Sequence, residues 1–569
     1  MKRFFLCLSL FSFYFSAKAQ RDSISIHAKL NEDKKTISVE QVLIYHNPHQ
    51  KTINQIKLLN WVAAYQNRKT NLLKRKVEDR KKDLYFAKED QLGKLESLQY
   101  SYGNNFSEVL NKNQENIYIP LSESLNPGER IKISLNYQIR LPDARFTGYG
   151  IDVNHILLKY FFLVPETFED ENQSNNFYRD TEETGNAGSF WNIDFTLPES
   201  WKCYSNLARD SKSGFSGISI NDPEFQLSRN NYPGFQPEID GQKVNIQLGY
   251  EISEYQQKIL EPVLVNHLSF LKNKTGNLPE NIFITQKYLN REEFFGIDDI
   301  KFWKFKYQLF TDYEKADLDY FSLLSKKITE ESLITNKTND HWLKNGIKSH
   351  LEIQYLKKFY PNHLLLGNLP DNVKILGLKP LKVFHASKLK LSERYGLAYH
   401  YIYTQNLDQK ITTPYHQLSN FNTTAISQFE TGSLLNYISA YQGSEQFDLF
   451  LKNYLSSNYQ KKLAGSEFLK ALEKATDGNS DFLERMMNEK HRVNFNLKSI
   501  KEKNQNYNVH LRSRNADLIP LKIQSETREG GKNTFWKSKN EVSKDSVSIP
   551  NNSIYKIVLN DDYIFPETN

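Results

Sequence analysis

The sequence runs to 569 residues with 39% hydrophobic and 13% aromatic side chains, which excludes a disordered chain and a single small domain. Its net charge of +7 comes from 74 Lys and Arg against 67 Asp and Glu, too slight an excess at this size to argue for nucleic-acid binding. Two cysteines, Cys7 and Cys203, exclude a disulfide framework and a cysteine metal cluster.

Residues 1–19 read as a secretory signal peptide. Lys2-Arg3 form the charged region, Phe4 to Phe15 the apolar core, and Ala17-Lys18-Ala19 a small-x-small cleavage site before Gln20. Cys7 lies inside that core, so it is not placed for lipid modification at a mature N-terminus. Cleavage removes Lys2, Arg3 and Lys18 and leaves a charge of +4. No later stretch has the length of a membrane helix. The expected location is therefore outside the cytoplasm, in the periplasm or at the outer membrane or cell surface.

From residue 20 to about residue 250 the pattern is strand. Ser23 to Ala28 and Thr36 to Tyr45 alternate apolar with polar, and His46-Asn47-Pro48 turns the chain. Pro127-Gly128 marks a turn before the alternating run Ile131 to Tyr137. Arg68 to Lys94 is dense in Lys and Arg, but Glu78, Asp79, Asp83 and Glu89 interrupt the field, so the segment is expected to be a solvated surface helix. His46 and His49 bracket a turn with no helix to align them for a metal and are expected at the surface.

Residues 251–490 turn helical. Apolar side chains recur at helical spacing over Tyr255 to Leu271, Leu318 to Ile328 and Leu343 to Phe359, the last stopped by Pro361. Gly432 to Tyr441 ends at Gly443, after which Ser444 is expected to cap a helix carrying Phe447, Phe450, Leu451 and Tyr454. Residues 491–569 alternate again, through Tyr507 to Leu511, Ile519 to Ile523 and Tyr555 to Leu559. The fold class expected is multidomain α+β.

The central segment is Ser322 to Glu352, and its part Asp340-His341-Trp342-Leu343-Lys344-Asn345-Gly346 resembles the glutamate helix of the M1 aminopeptidases, the thermolysin-like gluzincins. In that family one helix carries H-E-x-x-H, and a Glu nineteen residues past the second His closes a His₂Glu zinc site. Counting back from Asn345 puts the motif positions on Ser322, Leu323 and Lys326. A loop four residues shorter puts them on Lys326, Lys327 and Glu330. Neither register supplies a His, an acid at the base position, or a Glu at Asn345. The family's cofactor is zinc, and here its ligands are missing.

The phrases LNPGERIKISLNYQIRLPDARFTGYG and YFFLVPE resemble the N-terminal β-domain of the exported bacterial branch. The stretch from Phe429 to Met487 resembles the helices after the active site, where the family tyrosine that stabilises the oxyanion falls on Phe429 and the following Lys on Thr431. The resemblance implies an N-terminal β-sheet saddle, a mostly helical thermolysin-like domain and a C-terminal β-sandwich. Pro566 to Asn569 resembles a point inside longer relatives, which leaves a fragment and a shortened member both open.

Other chemistries are weaker. Gly296-Ile297-Asp298-Asp299 stands where the family grips the substrate amine, and Asp298 and Asp299 suit an amine, although the Met-Glu-Asn core is absent. His341 and His350 are nine residues apart and do not share the i, i+4 face that zinc needs. Ser322 and Lys326 share a face, as in Ser-Lys hydrolases, but need an oxyanion hole and a lysine of depressed pKa. Two readings follow. One is an exported M1-like protein without zinc or catalysis that binds peptides or envelope proteins or acts as a scaffold. The other is an active metallopeptidase or other hydrolase with non-standard ligands.

Overall fold

The computed structural model describes residues 21–166, 188–291, 299–302, 305–367, 369–374, 377–383, 385–490, 493–515, 519–542, 546–551 and 554–561. The expected signal peptide lies outside them, as do Gly296, Ile297 and Asp298. The chain forms two compact units, one from residues 21–77, 81–166 and 188–230, the other from 78–80 and 231 onward.

The first unit is β-structure. An eight-stranded sheet runs in the order Ala208–Arg209, Gly214–Ser219, Ser189–Thr196, Ser23–Asn31, Thr36–His46, Arg130–Arg140, Lys94–Ser101, Ser107–Glu108. Ser23–Asn31 pairs antiparallel with Thr36–His46 and parallel with Ser189–Thr196. Its alternation turns Ile24, Ile26, Ala28 and Leu30 into the core, as a period of two requires. Smaller sheets of three and four strands complete the unit, and Trp61 packs among Tyr65, Tyr149, Tyr160 and Phe161.

Three local expectations need correction. The basic segment is helical only over α1 (Asn71–Glu78), because Lys81 to Gln91 form turns and a short 3₁₀ helix before the strand at Lys94. His46 is buried, not at the surface: Asp22 accepts from its backbone N–H at 2.8 Å and contacts its Nδ1 at 3.3 Å. Ser444 caps nothing with its side chain. It opens its helix directly after Gly443, whose φ of 101° sets the corner.

In the second unit the helices are α2 (Glu254–Thr275), α3 (Gln286–Arg291), α4 (Asp312–Ser332), α5 (His341–Phe359), α6 (Leu369–Asn372), α7 (Arg394–Thr404), α8 (Asn420–Thr424), α9 (Thr431–Gln442), α10 (Ser444–Ser457), α11 (Gly465–Ala475) and α12 (Asp481–Asn488). A π-helical turn, Ala425–Glu430, joins α8 to α9. Thr311 and Glu314 form a capping box that starts α4. Leu323, Leu324 and Ile328 of α4 and Ile347 and Leu351 of α5 are all 0–1% exposed in one core, each contributing roughly 1.5–3 kcal/mol by burial. Asp317 ties α2, α4 and α5 together. His267 lies 2.9 Å from it, and the Tyr355 and Tyr360 hydroxyls donate to it at 2.9 and 2.7 Å. Burial by itself would raise the Asp317 pKa, but these partners, His267 foremost, outweigh it and hold the carboxyl below the usual range.

Past α12 the chain makes two antiparallel three-stranded sheets. One is Asn494–Lys503, Asn506–Arg514 and Ser546–Pro550, and the other Lys532–Lys537, Leu521–Thr527 and Ile554–Leu559. Val509, Leu511, Leu521, Ile523, Val547 and Ile549 form their buried faces, and the Tyr437 hydroxyl donates to Pro520 O at 2.6 Å. No helix among the described residues is long and apolar enough to cross a membrane.

Where α5 meets α9 the backbones touch. A Cβ on Gly432 would overlap the Ser349 side chain and sit 3.0 Å from His350 N, while one on Gly346 would overlap the Thr431 side chain. Gly432→Ala must therefore push two packed helices apart, at an expected cost of about 1–3 kcal/mol in thermal or denaturant melts. A neutral result would mean that the two helices pack less closely than this.

Candidate functional site

Helices α4 and α5 supply the positions where the sequence pattern calls for a metal. They pack antiparallel with residues 322–330 of α4 along 344–352 of α5: Ser322 Oγ donates to Glu352 Oε1 at 2.6 Å, and Lys344 Nζ donates to Glu330 O at 2.9 Å. Ser322, which opens one register, and Glu330, which closes the other, thus lie along α5, whereas Lys326 and Lys327 reach the Tyr288 ring of α3.

Glu352 is the carboxylate on the face where α4 meets α5. It is 3% exposed and is met from three sides, by the Ser322 hydroxyl, by the Tyr395 hydroxyl from α7 at 3.0 Å, and by the Lys348 ammonium at 3.3 Å. Lys348 stands one turn before Glu352 on α5, so the helix itself brings the cation to the anion. Burial, then the Glu352 charge, raise the Tyr395 hydroxyl well above its ordinary pKa, which keeps it a neutral donor. Phe429 packs its ring edge-on against Tyr395 at 4.9 Å between centroids.

A second network sits at the start of α5. His341 Nε2 faces Thr413 O at 2.9 Å, and a carbonyl only accepts, so Nε2 carries the proton. Burial pushes the His341 pKa down to about 4, so the ring is neutral at pH 7 and its Nδ1 accepts from Ser427 Oγ at 2.6 Å. Ser427 Oγ in turn accepts from Asn345 Nδ2 at 2.9 Å. The order Asn345 amide, Ser427 hydroxyl, His341 ring, Thr413 carbonyl uses each donor once. Its serine lies on the π-helical turn.

These residues do not fit zinc. A zinc ion needs three or four lone-pair donors converging on one point. Asn345 turns an N–H inward, Ser322 donates its proton to Glu352, and Glu352 already holds an ammonium. Lys326 and Lys327 present cations, with ammonium groups 5.6 and 3.8 Å from the Tyr288 ring centroid. Among the described residues no three His, Cys, Asp or Glu side chains gather closely enough to hold a metal ion.

The other candidates separate. His341 bonds to Ser427 and Thr413, while His350 is wholly buried against Phe447, 5.1 Å between ring centroids, so the two histidines and Glu352 do not converge. Ser322 spends its hydroxyl on Glu352 rather than on Lys326. Leu323 is a core residue, Glu330 takes part through its carbonyl, and Asp299 opens the strand Asp299–Phe302. Lys348, Tyr395, Thr413 and Ser427 are the residues that sequence reading passed over. Lys348 and Glu352 were readable as an i, i+4 pair, but the other three reach the site from elements distant in the chain.

No protein-family model matches this sequence, and no curated protein does. Its fold, however, resembles that of a solved aminopeptidase. Legionella pneumophila aminopeptidase A, solved with aspartic acid, superposes with a TM-score of 0.60 at 9% identity, over 97% of this chain and 60% of that one. An M1 zinc metallopeptidase from Deinococcus radiodurans, solved as a Glu-to-Ala variant with a Tyr-Ser-Ala substrate, matches 81% of this chain and 92% of its own at a TM-score of 0.49 and 10% identity. The chain has an M1 aminopeptidase-like fold and spans about three fifths of the Legionella protein's length.

Proposed function

We propose that this protein is an exported member of the M1 aminopeptidase-like fold that has given up zinc and hydrolysis and binds peptides, extended protein segments or envelope proteins. The observation that carries the reading is the Lys348–Glu352 pair. The carboxylate on the face where α4 meets α5 is neutralised by the chain's own ammonium and bonded by Ser322 and Tyr395. Asn345, with its amide donated to Ser427, and Phe429, without a hydroxyl, support it from two positions of the family motif. Retained helix packing around altered chemistry suits a binding or scaffolding role.

The test is elemental analysis of the purified full chain together with turnover of aminoacyl and peptide reporter substrates, with and without added zinc and chelator. We expect far less than one zinc per chain and no chelator-sensitive turnover. Stoichiometric zinc with turnover that a chelator abolishes would overturn the proposal in favour of an active metallopeptidase.

A further inference from the structure

The excursion from Arg68 to Lys88 has no part in the α4–α5 site, and its composition differs from the rest of the chain. It holds nine Lys or Arg against three Asp or Glu, a net of +6, beside +7 for the whole sequence. One segment of 21 residues thus carries nearly all of the protein's positive excess.

Its side chains are sorted by chemistry. Leu72, Leu73 and Arg75 of α1 turn inward, together with Leu84 and Ala87. Outward lie Arg68, Lys69, Lys74, Lys81, Lys82 and Lys88, all exposed. Among these cations stand Phe86, 69% exposed, and Tyr85 and Val77, each 48% exposed, with the two aromatic rings edge to face at 5.1 Å. Arg68 donates to Ala87 O at 3.3 Å and Phe86 N–H to Lys82 O at 3.1 Å, so the start of the excursion is fastened beside the aromatic pair. Glu78 and Asp83 are the exposed acids within it.

Lysine and arginine alone describe a solvated surface. Here exposed Tyr85, Phe86 and Val77 in the same short segment add apolar area to the cations, the combination an interfacial surface uses. Cations around a shallow apolar wedge match an anionic bilayer surface, where the ammonium groups meet phosphate headgroups and the rings enter the boundary with the acyl chains. We infer that the excursion 68–88 is a peripheral membrane-docking surface for anionic phospholipid. This inference rests on charge and exposure and is independent of the metal reading.

The test is co-sedimentation of the full chain with vesicles of phosphatidylcholine containing phosphatidylglycerol, against phosphatidylcholine alone, at low and high salt. Binding to the anionic vesicles should exceed binding to the neutral ones at least about tenfold and weaken as salt screens the charges. Neutralising a lysine should weaken it about fivefold, so Lys81→Gln with Lys82→Gln should weaken it about 25-fold. Phe86→Ser should weaken binding at both salt concentrations while leaving the salt dependence in place. Equal binding to both vesicles, or no change in these variants while their melting temperatures stay at the parent value, would overturn the inference. So would binding to a DNA duplex without binding to either vesicle, which would assign the basic rim to nucleic acid.

Discussion

Lys348→Met should destabilise the helical unit by about 3–5 kcal/mol while making no difference to any metal content. The two side chains of the Lys348–Glu352 pair are 6% and 4% exposed, so removing the ammonium leaves a carboxylate charge in a region water does not reach. Ser322 and Tyr395 still donate to it, but two neutral hydroxyls do not replace a cation. Adding Glu352→Gln to the lysine variant should recover most of the loss, because the amide removes the buried charge while its oxygen accepts from one of the two hydroxyls and its N–H donates to the oxygen of the other. The strong non-additivity of the two substitutions is the signature to look for. Thermal melts of the parent, both single variants and the double variant measure all of this. A single Lys348→Met as stable as the parent would mean that the carboxylate does not depend on this cation.

Acid should cost the fold nearly as much. Burial lowers the His341 pKa to about 4, and burial followed by the charges of Lys274 and Lys357 lowers that of His350 to about 3. In an unfolded chain both titrate near 6.5. A histidine whose folded pKa is depressed binds its proton more readily unfolded, so its stabilisation is complete above about pH 6.5 and falls as the pH drops toward the folded value. Each ring should withdraw about 2 kcal/mol by pH 5. Asp317, held low, adds its own loss only below the ordinary aspartate range, and Asp340, raised by burial, works in the opposite direction. Neither ring nitrogen of His350 has a hydrogen-bond partner among the described residues. His350→Leu should therefore remove about half of the fall between pH 7 and 5 and leave stability at pH 7 unchanged or higher. Melts across that range in both proteins check it, and a parallel fall in parent and variant would take His350 out of the account.

Local pattern determined a great deal here. Alternation placed Ser23–Asn31 and Thr36–His46, and helical spacing placed α4 and α5, because burial on one face leaves a period in the sequence. It also singled out the segment 322–352 and led to the expectation that zinc ligands are missing there, since ligand chemistry is written in the residues themselves. The basic segment misled for the same reason. Composition records how many lysines there are, but not that the chain turns after α1 and holds Phe86 out among them.

Tertiary structure decided what each polar group meets. Tyr395 comes to Glu352 from 43 residues away, and Ser427 joins His341 and Asn345 across 86 and 82. Nothing in local spacing encodes such a meeting, because it follows from how α5 packs against α7 and the π-helical turn. His46, assigned to the surface by its turn, is buried against Asp22 from the start of another strand. Hydrophobic period is a property of one element, whereas a buried polar group must find its partner wherever the fold brings one, and that pairing exists only once the elements have packed.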